Sequence, residues 1–220
     1  DRDAAQKSIA DGLVPLAKAL KKQGDRAAAV VDELQALCYG SRCVGTTAFQ
    51  RMGAARGLAA LVKGLGIASL KQRSVVPAIQ AALSGDPERT IDEQHGGLVA
   101  VEALADRMGV LFEPYEIALL PALIRALGAD GSLLVRDAAK SASRRVFHGL
   151  SAHGVKLALP TVLAAAKGEE VASPAGSGGY AAAASAAAPT TTKKDEPTQK
   201  LASWRPRVAA IGMLGASAAA

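Results

Sequence analysis

The stretch ADGSLLVRDAAKSASRRV, Ala129 to Val146, decides the fold of this chain. Asp130-Gly131 is followed by Ser132 at a helix start, so it marks an inter-helix turn and not a β-hairpin. Beyond it Val135, Ala138, Ala139 and Ala142 recur at helical spacing and form one core-facing side. A leucine-rich stretch with a central proline, Pro121, comes just before. The same proline-bearing stretch recurs at Pro77 and Pro160, 44 residues earlier and 39 later. Two helices per unit at a period of about forty residues are the mark of a HEAT-type solenoid. Such units cannot bury their apolar faces alone; they stack, and the stack becomes a long surface for holding partners. The expectation is an all-α, right-handed α-solenoid of about four HEAT repeats and part of a fifth.

Composition agrees with that architecture. Half of the 220 residues are apolar, enough for a continuous core, but only 3% are aromatic. Leu, Val, Ile and Ala must therefore do the packing, and small alanines let helices approach closely. Sustained two-residue alternation is absent, which argues against strands. No apolar run reaches the length of a membrane span; Ile117 to Ile124 is ended by Arg125. Cys38 and Cys43 are the only cysteines. With no Cys or His partner nearby to complete a zinc site, they read as buried thiols of a reducing, cytoplasmic protein.

Helical patterning predicts helices near 3–20, 26–38, 47–65, 68–84, 92–108, 112–127, 132–149 and 153–166, with a last one from about Ser203. Residues 1–166 form the solenoid on this reading. Residues 167–201, rich in Ala, Ser, Gly, Pro and Thr, are a disordered insertion, because they hold almost no large apolar residue to offset ordering entropy. Residues 202–220 supply the second helix of the interrupted repeat. The chain opens at Asp1 already inside a helical pattern and closes on small residues without a polar cap. Both ends are thus expected to be cuts within a longer array.

Charge narrows the functional classes. The net charge is +6, and the insertion's four lysines balance its four acids, so the excess belongs to the repeats. Lys18, Lys21, Lys22 and Arg26 cluster around one turn; Lys63, Lys71 and Arg73 cluster around another. A basic solenoid fits ribosomal RNA, tubulin tails or acidic proteins as partners. Arg136, Lys140 and Arg144 lie four apart on one helix face and could follow a phosphate backbone. A solvated charged face is the commoner explanation of such a stripe. Asp130 and Arg136 also occupy positions where such repeats build ion-pair ladders between neighbours. No aromatic platform for stacking on single-stranded bases is present.

Catalysis has little support. His95, His148 and His153 lack metal-ligand spacing, and there is no H-E-x-x-H, Walker lysine or Gly-x-Ser-x-Gly elbow. A HEAT-like lyase or hydroxylase would repeat metal-ligating His-Glu pairs between units, and none occur. No metal, cofactor or catalytic residue is therefore expected. A tubulin-binding array should group basic residues on the loops inside each repeat, and a nuclear-transport array should show an acidic inner surface. Neither grouping is clear along the sequence, and a generic interaction scaffold of these types is the alternative reading.

Four ordered motifs extend the argument. They are RMGAARGLAALVKGLGIASLK (Arg51 to Lys71), LFEPYEIALLPALIRALGADGSLLVRDAAKSA (Leu111 to Ala142), LSAHGVKLALPTVLAA (Leu150 to Ala165) and SWRPRVAAIGMLGASA (Ser203 to Ala218). Together they resemble the general-control translational activator family of very large cytosolic HEAT-repeat proteins. The match is to the central region, itself similar to the HEAT part of the fungal ABC-class translation elongation factor. The resemblance implies a non-catalytic segment of a protein that binds stalled ribosomes through rRNA and ribosomal proteins. It further implies an ABC-class ATPase partner and, indirectly, the kinase of the initiation factor two alpha subunit, with no membrane or DNA partner. Lys63, Lys71, Arg136 and Lys156 fall inside matched motifs and join Lys140 and Arg144 as contact candidates. Pro77, Pro121, Pro160, Asp130, Val135, Ala138 and Ala139 are structural repeat positions. The chain departs from the family at TIDEQHGG, Thr90 to Gly97, where relatives carry an arginine-rich helix start; an RNA contact made there would be weakened or moved.

Overall fold

The computed structural model describes residues 2–129, 132–169 and 212. Among them are nine α-helices, one 3-10 helix and no strand. Every second helix along the chain returns to the same layer. The first layer holds α1 (Arg2–Leu20), α3 (Ala48–Leu65), α6 (Ile91–Met108) and α8 (Leu133–Gly149), each packed on the next. The second holds α2 (Gly24–Cys38), the short pair α4 (Ala68–Gln72) and α5 (Val75–Ala82), α7 (Glu113–Leu127) and α9 (Ala152–Lys167). Across the layers α2 packs on α3, α5 on α6 and α7 on α8. A proline-bearing helix and the alanine-rich helix after it therefore form the packing unit at α5–α6 and α7–α8, as the repeat pattern implied. The partial fifth repeat, the insertion beyond Glu169 and the helix after Ser203 lie outside the described residues.

Side-chain chemistry sets the helix starts. Thr47 and Thr90 each close a capping box with the residue three ahead, Gln50 and Glu93, and Ser132 and Ser151 accept from the backbone N–H of Val135 and Gly154. Val135, Ala138, Ala139 and Ala142 are all buried, as their spacing requires. The expected single helix over 68–84 is instead broken, with Ser74 in the left-handed region at φ 48°. Pro77 is the cause. In a continuous helix its ring would clash with the carbonyl of Arg73 and leave that carbonyl without a donor. The break releases the Arg73 carbonyl to accept from Gln35 Nε2 at 3.3 Å. Pro121 and Pro160 are instead carried inside unbroken helices.

Within the first layer the helices run parallel. Gly53, Gly57 and Gly64 of α3 lie against Gln6, Leu13 and Ala17 of α1 in the same order. Ser141 and Arg145 of α8 meet Glu102 and Asp106 of α6, again in order. Across the layers the tightest glycine contact is at Gly96 of α6, where an added Cβ would fall 1.7 Å from the carbonyl oxygen of Cys38, the last residue of α2. Parallel stacking has one decisive consequence. The turns following the first-layer helices all emerge along one edge of the solenoid, and the loops preceding them along the other.

Candidate anion-binding edge

The two edges carry opposite charge. Turns 18–26, 63–73, 106–113 and 144–156 share the first edge and hold eleven Lys and Arg against three Asp and Glu, a balance of +8. The described residues of segments 39–51, 83–95 and 127–137 on the other edge hold four against five, a balance of −1. At an interaxial distance of about 8–10 Å, four stacked helices extend the basic edge over roughly 25–30 Å.

Pairing sorts the same cations. Across the first layer Arg56 bonds Asp3, Arg107 bonds Asp11, and Arg145 meets Asp106 at 2.8 Å, while Ser141 donates to Glu102 at 2.7 Å. Arg56–Asp3 and Arg145–Asp106 link neighbouring helices of the layer, and Arg107–Asp11 joins α6 to α1, two places apart. Lys18, Lys21, Lys22, Arg26, Lys63, Lys71, Arg73, Arg144 and Lys156, by contrast, make no ion pair among the described residues. All nine lie on the basic edge. Unpaired ammonium and guanidinium groups in water are available to phosphate or carboxylate partners without first breaking an internal contact.

The structure divides the six contact candidates accordingly. Lys63, Lys71, Arg144 and Lys156 come together on this edge and are exposed. Arg136 and Lys140 do not belong with them. The stripe Arg136–Lys140–Arg144 runs along α8 from one edge to the other, and only its last member reaches the basic side. Arg136 is half-buried and donates to the Ala129 carbonyl at 2.8 Å, capping the end of α7. Lys140 pairs with Asp137 at 3.1 Å. Asp130, the expected ladder partner of Arg136, lies outside the described residues. Sequence reasoning placed a ladder there and missed the set of ion pairs through Asp3, Asp11 and Asp106. Its signal was acids of α1 and α6 facing arginines one or two first-layer helices on.

At the opposite edge a buried polar latch occupies the α3–α6 junction. Arg51, only 2% exposed, donates through Nε to His95 Nδ1 at 3.1 Å and pairs with Asp92 at 2.9 Å. Its guanidinium also reaches the Thr46 carbonyl and hydroxyl, while Asp92 accepts from the Gly45 N–H at 3.0 Å. Burial, with the Arg51 charge beside it, pushes His95 down to about 4, so it stays neutral and accepts the hydrogen bond from the arginine N–H. Asp92, His95 and Gly96 all come from TIDEQHGG. That segment is thus a structural clasp on the edge away from the lysines. The latch was readable in principle, because Arg51 sits in register with buried Ala54, Ala55, Leu58 and Val62. Both thiols are buried, and burial raises both above the ordinary cysteine range. No group of three or more His, Cys, Asp or Glu converges as a metal site among the described residues. No helix there is long and apolar enough to cross a membrane.

A second buried acid lies under the basic edge. Glu113 of α7 accepts from the Ser151 N–H at 2.6 Å and its hydroxyl at 3.0 Å, tying down the start of α9. Glu116, one turn on and 1% exposed, has no hydrogen-bond partner for either carboxyl oxygen. Burial first, and then the Glu113 charge, push it up to about 7, against an opposing pull from Arg145.

Stacked helix pairs and internal ion pairs between them define a HEAT-repeat solenoid segment. The family described as EF3 N-terminal HEAT repeat matches residues 51–170. The chain is 41% identical over 172 residues to the Stalled ribosome sensor GCN1 of Homo sapiens, covering 78% of this chain and 6% of that protein. It is 37% identical over 163 residues to the eIF-2-alpha kinase activator GCN1 of Dictyostelium discoideum, covering 74% of this chain and 6% of that protein. Protein ILITYHIA of Arabidopsis thaliana is 37% identical over 161 residues, with shares of 73% and 6%. No solved structure matches. The chain belongs to the GCN1 family and spans about 6% of the length of these relatives.

Proposed function

We propose that this chain is a ribosome-facing, non-catalytic segment of a stalled-ribosome sensor that promotes activation of the initiation factor two alpha-subunit kinase. Its basic edge holds an anionic ribosomal surface. The observation that carries this reading is the gathering of nine cations without an ion pair on one edge, while most other cations of the described residues pair internally. The relatives' names, a stalled ribosome sensor and a kinase activator, supply the biological setting. The ABC-class ATPase partner and the cytoplasmic site belong to the same proposal and rest on the family resemblance. A tubulin-binding array is less well supported, because the loops inside each unit, 39–47, 83–90 and 128–132, carry two Arg against three acids.

The test is co-sedimentation of the chain with ribosomes over a salt series. Each phosphate neutralised by a Lys or Arg steepens the fall of log affinity with log salt by about 0.7–0.9. Lys63, Lys71, Arg144 and Lys156 changed together to Glu should abolish binding. Lys140→Glu, away from the edge, should leave it intact. Ribosome binding that persists in the fourfold variant would remove the edge from the mechanism.

A further inference from the structure

The basic edge is interrupted at its third turn by two aliphatic side chains in water. Val110 is 63% exposed and Leu111 is 65% exposed. They form the crest of the 3-10 helix Gly109–Phe112, between the α3–α5 turn with Lys63 and Lys71 and the α8–α9 turn with Arg144 and Lys156. The crest is held firmly from below. Phe112 is fully buried and stacks on Tyr115 with ring centroids 5.6 Å apart, and the Glu113 N–H bonds back to the Val110 carbonyl. The local cations are spent elsewhere, Arg107 on Asp11 and Arg145 on Asp106. Along the edge the chemistry therefore reads basic, apolar, basic.

A bare phosphate backbone makes poor use of that pattern, since it offers charge to the lysines and little for two aliphatic groups to bury against. Stacking on unpaired bases calls for aromatic faces, and the ring in this turn, Phe112, is buried. A protein segment satisfies all three parts when acids flank an apolar centre. Two interaxial steps separate the lysine clusters, roughly 16–20 Å. About five or six extended residues span that distance. We propose that the ligand of this edge is an acidic protein segment whose central apolar side chains seat on Val110 and Leu111 while its flanking carboxylates meet Lys63 and Lys71 on one side and Arg144 and Lys156 on the other. The proposal rests on the anion-binding reading above and specifies the partner.

Fluorescence anisotropy with the full chain tests it, using three probes at fixed ionic strength. One is a peptide of two leucines flanked on each side by acidic residues; the second is its serine analogue of equal charge; the third is a short RNA duplex. The leucine peptide should bind about tenfold tighter than the serine analogue, roughly 1.4 kcal/mol. Val110→Ser with Leu111→Ser should erase that advantage. Both residues are exposed, so the variant should keep the wild-type melting curve, which is recorded alongside. Equal binding of the two peptides, or a leucine advantage that survives the double variant, overturns the proposal. So does preferential loss of RNA binding in that variant. If the duplex alone binds, and binding is lost on reversing the four cations, the anion-binding reading stands while the protein-segment inference falls. If no probe binds, both fall.

Discussion

Replacing Glu116 by Gln should make this protein more stable, by an amount that grows as pH rises from 4.5 to 7. The carboxyl is 1% exposed, and neither oxygen has a hydrogen-bond partner. Its value in the fold is about 7, against 4.5 for the ordinary group. Below 4.5 the folded and unfolded chains both hold the proton, and the group contributes nothing. As pH rises from 4.5 to 7 the unfolded chain releases its proton while the folded one keeps it, so stability falls. Above 7 the full penalty is present. A shift of about 2.5 units corresponds to about 3 kcal/mol at pH 8, but under about 1 kcal/mol at pH 5. Glutamine matches the neutral acid in shape and never ionises. Urea unfolding of the two proteins at pH 5 and pH 8 should therefore give nearly coincident curves at the lower pH. At the higher pH the variant should be favoured by about 2–3 kcal/mol, or roughly 5–10 °C in a thermal scan for a chain of this size. A gain of the same size at both pH values would show that charge is not the cause. A loss at pH 8 would mean that the carboxylate is paired in solution, with the buried and unpartnered Arg145 Nε as the obvious group.

Other perturbations separate the latch from the surface. Arg51→Met should cost about 3–5 kcal/mol in denaturant unfolding, because Asp92 is left without its cation and His95 without its donor. Arg51→Lys should recover only part, since a single ammonium cannot serve both partners in the same geometry. Gly96→Ala should unfold the α2–α6 contact or abolish folding, its Cβ colliding with the Cys38 carbonyl, whereas Gly12→Ala, with nothing within 4 Å in mid-helix, should stabilise by about 0.5–1 kcal/mol. His95 works in the direction opposite to Glu116. Its value is lowered to about 4, so the unfolded chain binds a proton that the fold refuses, and stability falls as pH drops from 6.5 towards 4. Equilibrium unfolding across that window should show the loss in the wild type and a flatter profile in His95→Gln.

The layers of the fold were legible because they depend on period and residue size. Pro77, Pro121 and Pro160 marked the second-layer helices, and the spacing of Val135, Ala138, Ala139 and Ala142 marked a buried face. The break at Ser74 was not legible, because a helix can carry proline, as at Pro121, or stop before it. At Pro77 the break is favoured by Gln35, a residue 38 positions before Arg73 that meets its freed carbonyl. The candidate site was half legible for a similar reason. Lys63, Lys71, Arg144 and Lys156 were visible as charges, but their meeting on one edge follows from parallel stacking. Arg136 looked equal to Arg144 on the helical wheel. Only the position of the Ala129 carbonyl distinguishes a capping arginine from an available one.

Helix dipoles provide a competing account of the basic edge. Parallel first-layer helices direct their C-terminal carbonyls to this edge, and each end favours a nearby cation by about 0.3–1 kcal/mol. Lys18 and Lys63, in the last turns of α1 and α3, are adequately explained by that effect alone. Arg26 and Lys156 are not. They lie in the first turn of α2 and the second turn of α9, near N-termini where local electrostatics favours an acid. Neither pairs with a carboxylate among the described residues; Arg26 donates only to Gln23 Oε1 at 3.1 Å. A cation kept against its local field is the signature of a residue selected for a partner at some expense to stability. Arg26→Glu with Lys156→Glu should therefore move two quantities in opposite directions. Thermal stability should rise by up to about 1 kcal/mol per site at low salt, while ribosome binding should weaken and its salt dependence become shallower. A variant that gains stability and binds ribosomes as well as the wild type would leave the edge explained by helix dipoles and chance, and the proposed interface would have to be sought on another face.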